Sequence, residues 1–418
     1  MTISKKITGW TGPRRQLILV ILLFLVATIN YFDRQSLSVV APRLQAELHI
    51  DEQGYAHIVG LFLLASAIAY AAAGFITDWL GTRRAMALFV GWWSLAEAAT
   101  MLASNMFSLG LARFCLGLGE PGLWVAAPKA VGEAIGERKR ALAIGIYSMG
   151  GSVGAVVALP AIALVTSHLP WRSIFVIDGA VGLLWLPLWF WATRSPHSAQ
   201  GEVPESGPAN RAPAPGEPMK NLRAVLTSVS TWKLVAARGF TDPVWYFYLF
   251  WFPKYLVSSR HMTLGGLAHF AWFVYLGGGI GAVTGGLFAS LLIRRGMRVR
   301  IAYRWTMLAA ALILPLSPLT AIVSSNVLAV LIAALIAFAH MNWLVILTAI
   351  VVELYPPNQV GTAAGLIASG SGLGGMLSSE LIGYVVMHQG YTPLFFVMGV
   401  LHPMILVSLW RVFEQREA

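Results

Sequence analysis

The chain has 418 residues, of which 57% are hydrophobic and only 11% charged, and it carries a formal net charge of +11; its mean hydropathy is +0.70. A soluble protein of this length would be roughly a quarter charged and split into two or three domains, so composition alone excludes an ordinary globular core and points to a membrane. The basic residues fall in short clusters without the aromatic-interleaved stripe of a nucleic-acid binder, and the one cysteine, Cys115, excludes a disulfide framework, a CxxC pair and a thiolate metal cage.

Lys5, Lys6, Arg14 and Arg15 precede an apolar run from Leu17 to Ile29, but no small-residue cleavage site follows, so the run reads as a retained first helix and not a signal peptide. A spanning helix needs about 20 largely apolar residues, and twelve segments qualify, at about 16–38, 55–77, 85–104, 107–132, 139–165, 172–193, 232–257, 266–293, 300–322, 327–354, 359–387 and 391–413. After the sixth, Ser195 to about Ser230 is rich in Pro, Glu, Gly and Ser (EVPESGPANRAPAPGEP) and reads as a flexible linker with no core of its own. The expectation is an all-α membrane protein with one six-helix bundle over 1–194, a cytoplasmic linker over 195–230 and a second six-helix bundle over 231–418.

Orientation follows from where lysine and arginine collect. With a cytoplasmic amino terminus, the inside loops hold Arg83, Arg84, Arg138, Lys139, Arg140, Arg194, Arg211, Lys220, Arg223, Arg294, Arg295, Arg298 and Arg300. The outside loops hold chiefly Arg43, Arg172 and Arg260. This positive-inside asymmetry places both termini and the linker in the cytoplasm.

The two halves repeat each other. Gly145, Gly150 and Gly154 recur 220 residues later as Gly365, Gly370 and Gly374, and Trp171 with Phe175 recur as Tyr391 with Phe395. GFITDWLGTRR from Gly74 has a looser echo, offset by 212, in GLFASLLIRRG from Gly286. Parallel six-helix repeats put a substrate site near the membrane midplane, between halves that rock against each other. No HExxH, no paired Asp-rich motif and no glycine-rich phosphate loop beside a lysine is present, so an enzyme is not expected.

Gly74, Asp78, Gly81, Arg83 and Arg84, spaced GxxxDxxGxRR between the second and third spans, resemble the loop signature of the major facilitator superfamily, and Arg113-x-x-x-Gly117-x-Gly119 resembles its fourth-helix motif. NYFDRQSLSVVAP, GLGEPGLWVAAPKAV, ERKRALAIGIYSMGGSVGA and WYFYLFWFPKYL are similar to the anion:cation symporter family, and their combination is closest to its hexuronate-type sugar-acid transporters. The resemblance covers the chain apart from linker and tails. It implies the major facilitator fold, twelve helices in two pseudo-symmetric six-helix bundles, and proton-coupled uptake of an organic anion across a bacterial inner membrane. The expected partners are a small organic anion such as a hexuronate, protons and the lipid bilayer, with no nucleic acid, no cofactor and no metal; the working unit is expected to be a monomer. An exporter or exchanger of an aromatic or dicarboxylic acid is the alternative. Trp79 stands where the superfamily loop usually has a basic residue, so altered gating contacts are expected there.

Ionisable groups inside a bilayer are expensive, so each needs a partner or a task. They are Asp33 and Arg34 in the first span, Glu97 in the third, Arg113, Glu120 and Lys129 in the fourth, Asp178, Arg238 and Asp242 in or near the sixth and seventh, His340 in the tenth and Glu380 in the eleventh. Arg34 is the first choice for an anion clamp, because a guanidinium fork matches a carboxylate with two parallel bonds; the competing reading is a structural pair with Asp33. Asn30, one turn earlier, is placed to serve sugar hydroxyls. Asp33 and Glu120 are the candidates for the coupling proton, Glu120 lying before the break at Pro121 and alternatively pairing with Arg113 for packing. In the resemblance, Asp33 and Arg34 match substrate and coupling positions and Glu120 a coupling position. Lys129 is either an anion contact, as the lysine of this region in hexuronate-type transporters implies, or a side chain that snorkels to the surface. Tyr31, Trp245, Tyr275, Trp343 and Ser371 are candidates to complete the pocket, and His340 with Asn342 and Trp343 to line its carboxyl-half wall. Asp242 reads as the mark of a helix break before Pro243, Glu97 has no obvious partner, and Glu380 reads as a packing residue. The small residues Gly145, Ser148 and Ser152, and Gly278 to Gly286, are expected to let helices approach closely.

Overall fold

The structure, a computed structural model, describes residues 12–194, 217–262, 270 and 272–410. No strand occurs among the described residues. In chain order the helices are α1 (Pro13–Leu48), α2 (Glu52–Leu80), α3 (Thr82–Ala99), α4 (Met106–Gly119), α5 (Pro121–Ala134), α6 (Glu137–His168), α7 (Arg172–Ala192), α8 (Glu217–Thr227), α9 (Val229–Tyr246), α10 (Phe252–Ser258), α11 (Trp272–Arg294), α12 (Val299–Ile313), α13 (Leu319–Ile322), α14 (Asn326–Leu354), α15 (Val360–Gln389) and α16 (Thr392–Leu409).

Ten helical stretches among the described residues are long and apolar enough to cross a membrane. The other two predicted spans, the fourth and seventh, are broken helices. In the fourth, Pro121 has no N–H to give to the carbonyl four residues back, and the chain divides into α4 and α5 around Glu120. In the seventh, Pro243 lies inside α9, which gives way to a π-helical turn at Phe247–Trp251 before α10. Of the predicted linker, 195–216 with its proline-rich stretch lies outside the described residues, and Glu217–Thr227 is helical. There the prolines end, and MKNLRAVL seats Val225 in fully buried surroundings.

The chain divides into two compact units, one of Met1–Gly136, Val157–Leu226 and Val352–Leu366, the other of Glu137–Val156, Thr227–Val351 and Ile367–Ala418. The first unit has an apolar core of Leu37, Val40, Leu44, Ile58, Leu109, Ile162 and Phe175. Trp185 donates to the Leu22 carbonyl (2.9 Å) and Trp189 to that of Arg83 (3.0 Å), which fixes α7 against α1 and α3. At the far end of α1, Glu47 accepts from the Trp171 indole at 2.6 Å and from Arg172. Those two bonds, the indole's first, hold its carboxyl below the usual carboxylate range. The second unit is centred on the rings of Phe247, Tyr248, Phe252, Tyr255 and Phe395.

The repeat extends to backbone conformation. His49 (φ 52°) and His261 (φ 54°) are the two non-glycine residues with positive φ among those described; His49 caps α1, and His261 lies three residues beyond the end of α10, after the turn at Ser259 and Arg260. They are 212 residues apart, the same offset as Gly74 and Gly286. In both, the next amide turns back to close the helix end: Ile50 onto Gln45 at 3.0 Å and Met262 onto Leu256 at 2.9 Å.

Candidate functional site

In the first unit, α1 carries Asn30, Tyr31, Asp33 and Arg34, and successive helical positions diverge by about 100°. Asp33 and Arg34 therefore serve different neighbours. Arg34 Nε donates to Glu120 Oε2 at 2.5 Å, joining α1 to the α4–α5 break. Glu120 is fully buried, whereas the Arg34 side chain keeps 27% of its surface exposed. Its guanidinium lies over the rings of Tyr31 (5.3 Å) and Phe62 (5.7 Å). The bond through Nε leaves the Nη1/Nη2 edge of the fork facing outward from the pair.

Trp124 completes this cluster and was not foreseen from sequence. It lies four residues after Glu120, on the same helical face, and its indole donates to Asn30 Oδ1 at 3.0 Å. Its ring meets Tyr31 edge-on at 5.8 Å. Asn30 is fully buried and its Nδ2 has no hydrogen-bond partner. The group thus presents a guanidinium edge, a spare amide donor and two aromatic rings.

Asp33 belongs to a second polar cluster. One oxygen each of Asp33, Glu97 and Asp178 lie within 4.8 Å of one another, all three residues buried. Arg113 supplies the cation: its Nη2 is 3.2 Å from Glu97 Oε2 and 3.3 Å from Thr100 Oγ1, and its guanidinium lies over the Phe175 ring. Glu97 therefore has the partner that its sequence context did not reveal, and the Arg113–Glu120 alternative does not form. Ser36 Oγ lies 2.5 Å from Asp178 Oδ2.

The loop-motif residues and Lys129 form a third group. Lys129 Nζ lies 2.6 Å from Asp78 Oδ1, both side chains 6% exposed, so Lys129 neither snorkels nor joins the Arg34 cluster in this arrangement. Asp78 also accepts the Gly361 amide at 2.9 Å and the Thr362 amide at 2.6 Å, both in the first turn of α15. Gly81 makes the α2–α3 turn at φ 75°, a conformation glycine adopts without a steric cost. A Cβ on Gly74 would stand 2.4 Å from the Gly361 carbonyl oxygen, so that glycine admits α15 against α2. Arg83 donates to Thr193 Oγ1 (3.0 Å) and the Phe190 carbonyl (3.4 Å) at the end of α7, while Arg84 is exposed.

In the second unit the candidates separate into two groups. Trp245 stacks on His340 at 6.0 Å and meets Tyr275 edge-on at 6.4 Å. His340 Nδ1 is 3.2 Å from Nε2 of His402, a residue not anticipated from sequence, and Trp343 packs edge-on against His402. Trp343 Nε1 and Asn342 Oδ1 are buried without a hydrogen-bond partner. Ser371 instead bonds Tyr246 Oη at 2.9 Å, near the Arg238–Asp242 pair (2.7 Å) one turn apart on α9. Asp242 thus has a guanidinium partner, and the helix break expected before Pro243 is not there: α9 runs through Pro243 and gives way only at Phe247. The side chain of Glu380 lies outside the described residues.

The chain was compared with known proteins. The hexuronate transporter of Escherichia coli K12 is 24% identical over 407 residues, 96% of this chain and 94% of that protein. The D-galactonate transporter of Escherichia coli O6:H1 is 25% identical over 399 residues, 91% of each. The solved proton:xylose symporter XylE superimposes with a TM-score of 0.72 at 14% identity, covering 96% of both chains. The family model of the Major Facilitator Superfamily matches residues 23–379. By that match over most of its length, the chain belongs to the Major Facilitator Superfamily and is a multi-pass membrane transporter, not an enzyme.

Proposed function

We propose that the chain is a proton-coupled symporter for uptake of a hexuronate or related sugar acid across a bacterial inner membrane. It works by alternating access as a monomer, with both termini cytoplasmic and with residues 1–194 and 231–418 as its two six-helix bundles. The observation that carries this reading is the Arg34–Glu120 pair: a partly exposed guanidinium held by a fully buried carboxylate, flanked by Asn30, Tyr31 and Trp124. Relatives named for hexuronate and D-galactonate transport support the substrate class.

The chemistry follows from competition for one cation. A sugar-acid carboxylate bonds the Arg34 fork and draws it from Glu120. A carboxylate left in a dry site without its cation is neutralised by a proton, because an isolated buried charge is far more costly than a buried carboxylic acid. Glu120 then carries its proton with the anion, and Asp33, on α1, takes part as a second acid. Asn30 Nδ2 reads a hydroxyl, and Tyr31 covers the apolar sugar face. Tyr275, Asn342, Trp343 and Ser371 are assigned to the remaining hydroxyls. Lys129, held by Asp78, is assigned to the framework of that loop and not to the anion. Gly74, Asp78, Gly81, Arg83 and Arg84, with Arg113 behind the site, hold the gating and structural framework.

Labelled galacturonate, galactonate and a dicarboxylate, offered to proteoliposomes with and without an inward proton gradient, test the reading. Sugar acids should accumulate against their gradient only when the proton gradient is imposed. Arg34→Lys should weaken binding about tenfold or more, the equivalent of losing one charged hydrogen bond of ~1.5 kcal/mol. Glu120→Gln should keep anion exchange and lose proton-driven accumulation. Normal binding by R34K, or dicarboxylate as the only substrate accumulated, would overturn the assignment.

A further inference from the structure

Glu97 and Asp178 have no role in the anion chemistry above, yet with Asp33 they place three carboxylates, each at most 5% exposed, around a single arginine. The charged groups facing this cluster are Asp33 from α1, Glu97 from α3, Arg113 from α4, Glu120 at the α4–α5 break and Asp178 from α7. Glu120 is matched by Arg34. That leaves three acids and one guanidinium. Fully ionised, the cluster would hold two uncompensated negative charges in a dry site, which costs far more than binding hydrogen ions.

Hydrogen counting gives an independent indication. The Ser36 hydroxyl lies 2.5 Å from Asp178 Oδ2 and 3.2 Å from the Phe32 carbonyl oxygen. Serine has one hydrogen to donate, and a carbonyl and an ionised carboxylate are both acceptors. Both contacts are satisfied at once when Asp178 carries a proton and donates it to Ser36 Oγ, while Ser36 donates to Phe32. Asp33 Oδ1 and Glu97 Oε1, buried and without a hydrogen-bond partner, are further places that a proton completes. A metal ion fits poorly, because the Arg113 guanidinium already stands 3.2 Å from one of the three prospective ligands.

We infer that Asp33, Glu97 and Asp178 form a shared proton site, charge-neutral with Arg113 when it holds two protons, and that Glu97 and Asp178 are thereby coupling residues distinct from the Arg34–Glu120 anion site. In the transport cycle one proton leaves a carboxyl oxygen of the triad for cytoplasmic water, and the remaining proton is redistributed among the three acids; no electron transfer is involved. This coupling role rests on the proton-symport reading, whereas the protonation itself does not.

The test uses the full-length protein with Glu97→Gln, Asp178→Asn and the double variant. Infrared spectroscopy of the reconstituted transporter at neutral pH should show a carbonyl band of protonated carboxyl groups that weakens in D178N and again in the double variant. In proteoliposomes each variant should exchange external for internal galacturonate but lose accumulation driven by an inward pH gradient. If the wild type ignores a pH gradient while the infrared band behaves as stated, the symport reading falls and the proton site stands. Absence of the band, or a band unchanged in all three variants, overturns the site whatever the transport result. Wild-type accumulation by both single variants overturns the coupling role.

Discussion

The Asp78 carboxylate receives three donors, Lys129 Nζ at 2.6 Å and the amides of Gly361 and Thr362 at 2.9 and 2.6 Å. First-turn amides of a helix lack intrahelical acceptors and carry the positive end of its dipole, so one aspartate satisfies α15 and neutralises a buried lysine together. The two partners are therefore unequal. Asp78→Ala strands two amides and an ammonium and should cost about 3–5 kcal/mol, as for a broken buried pair. Lys129→Met leaves Asp78 with both amide bonds and should cost clearly less; in the D78A background it should restore part of the loss. Thermal unfolding in detergent, followed by tryptophan fluorescence, ranks the three, and galacturonate binding by K129M should stay normal. A binding defect as large as that of R34K would instead make Lys129 an anion contact. Sequence could nominate Arg34, Glu120, Asp33 and Lys129 because charge inside a bilayer is rare and costly. It could not pair them: Arg34 meets Glu120 across 86 positions, a match decided by helix packing, while its neighbour Asp33 points elsewhere.

Helix contacts repeat as the glycines do. In one unit, added Cβ atoms on Gly145 and Gly286 would lie 2.2 and 2.3 Å from the carbonyl oxygens of Ala282 and Ala141, where α6 crosses α11. In the other, Gly365 and Gly74 would meet the Tyr70 and Gly361 oxygens at 2.4 Å each, where α15 crosses α2. The crossings are related by the offsets of the sequence repeat, so glycine is required at all four places by the approach of a neighbouring backbone. Alanine at any of them must push two helices apart, at about 1–3 kcal/mol for overpacking. Gly60, on α2 with nothing within 4 Å of an added Cβ, is the control. G74A and G286A should lower the melting temperature and slow transport to a similar degree, while G60A leaves both unchanged. Equal behaviour of G60A and G74A would show that the crossing tolerates a methyl group. The repeat, the spans and the prolines of the two broken helices were legible because they are local patterns. The π-helical turn after Pro243 was not, since it answers to the packing of Phe247 and Tyr248 against Phe395, remote in sequence.

At the scale of the whole molecule, the excess positive charge and the buried clusters separate by location. The arginines and lysines at 83–84, 138–140 and 294–300 stand at helix ends, and most are exposed, whereas Glu120, Glu97 and Asp242 are buried partners of single arginines. Charge at helix ends fixes orientation during insertion, since translocating a cluster of lysine and arginine is disfavoured. The +11 balance is thus chiefly a record of topology, and it makes a directional prediction. Because Cys115 is the only cysteine, a Cys115→Ser background gives a clean reporter chain. Ser104→Cys, in the exposed turn between α3 and α4, should react with a membrane-impermeant maleimide added to intact spheroplasts. Lys139→Cys, exposed near the start of α6, should react only after the membrane is opened. The opposite labelling pattern would invert the topology and place both termini outside. Coupling direction would not change with it, because a symporter carries its substrate down the proton gradient in either orientation, so the labelling result tests topology independently of transport.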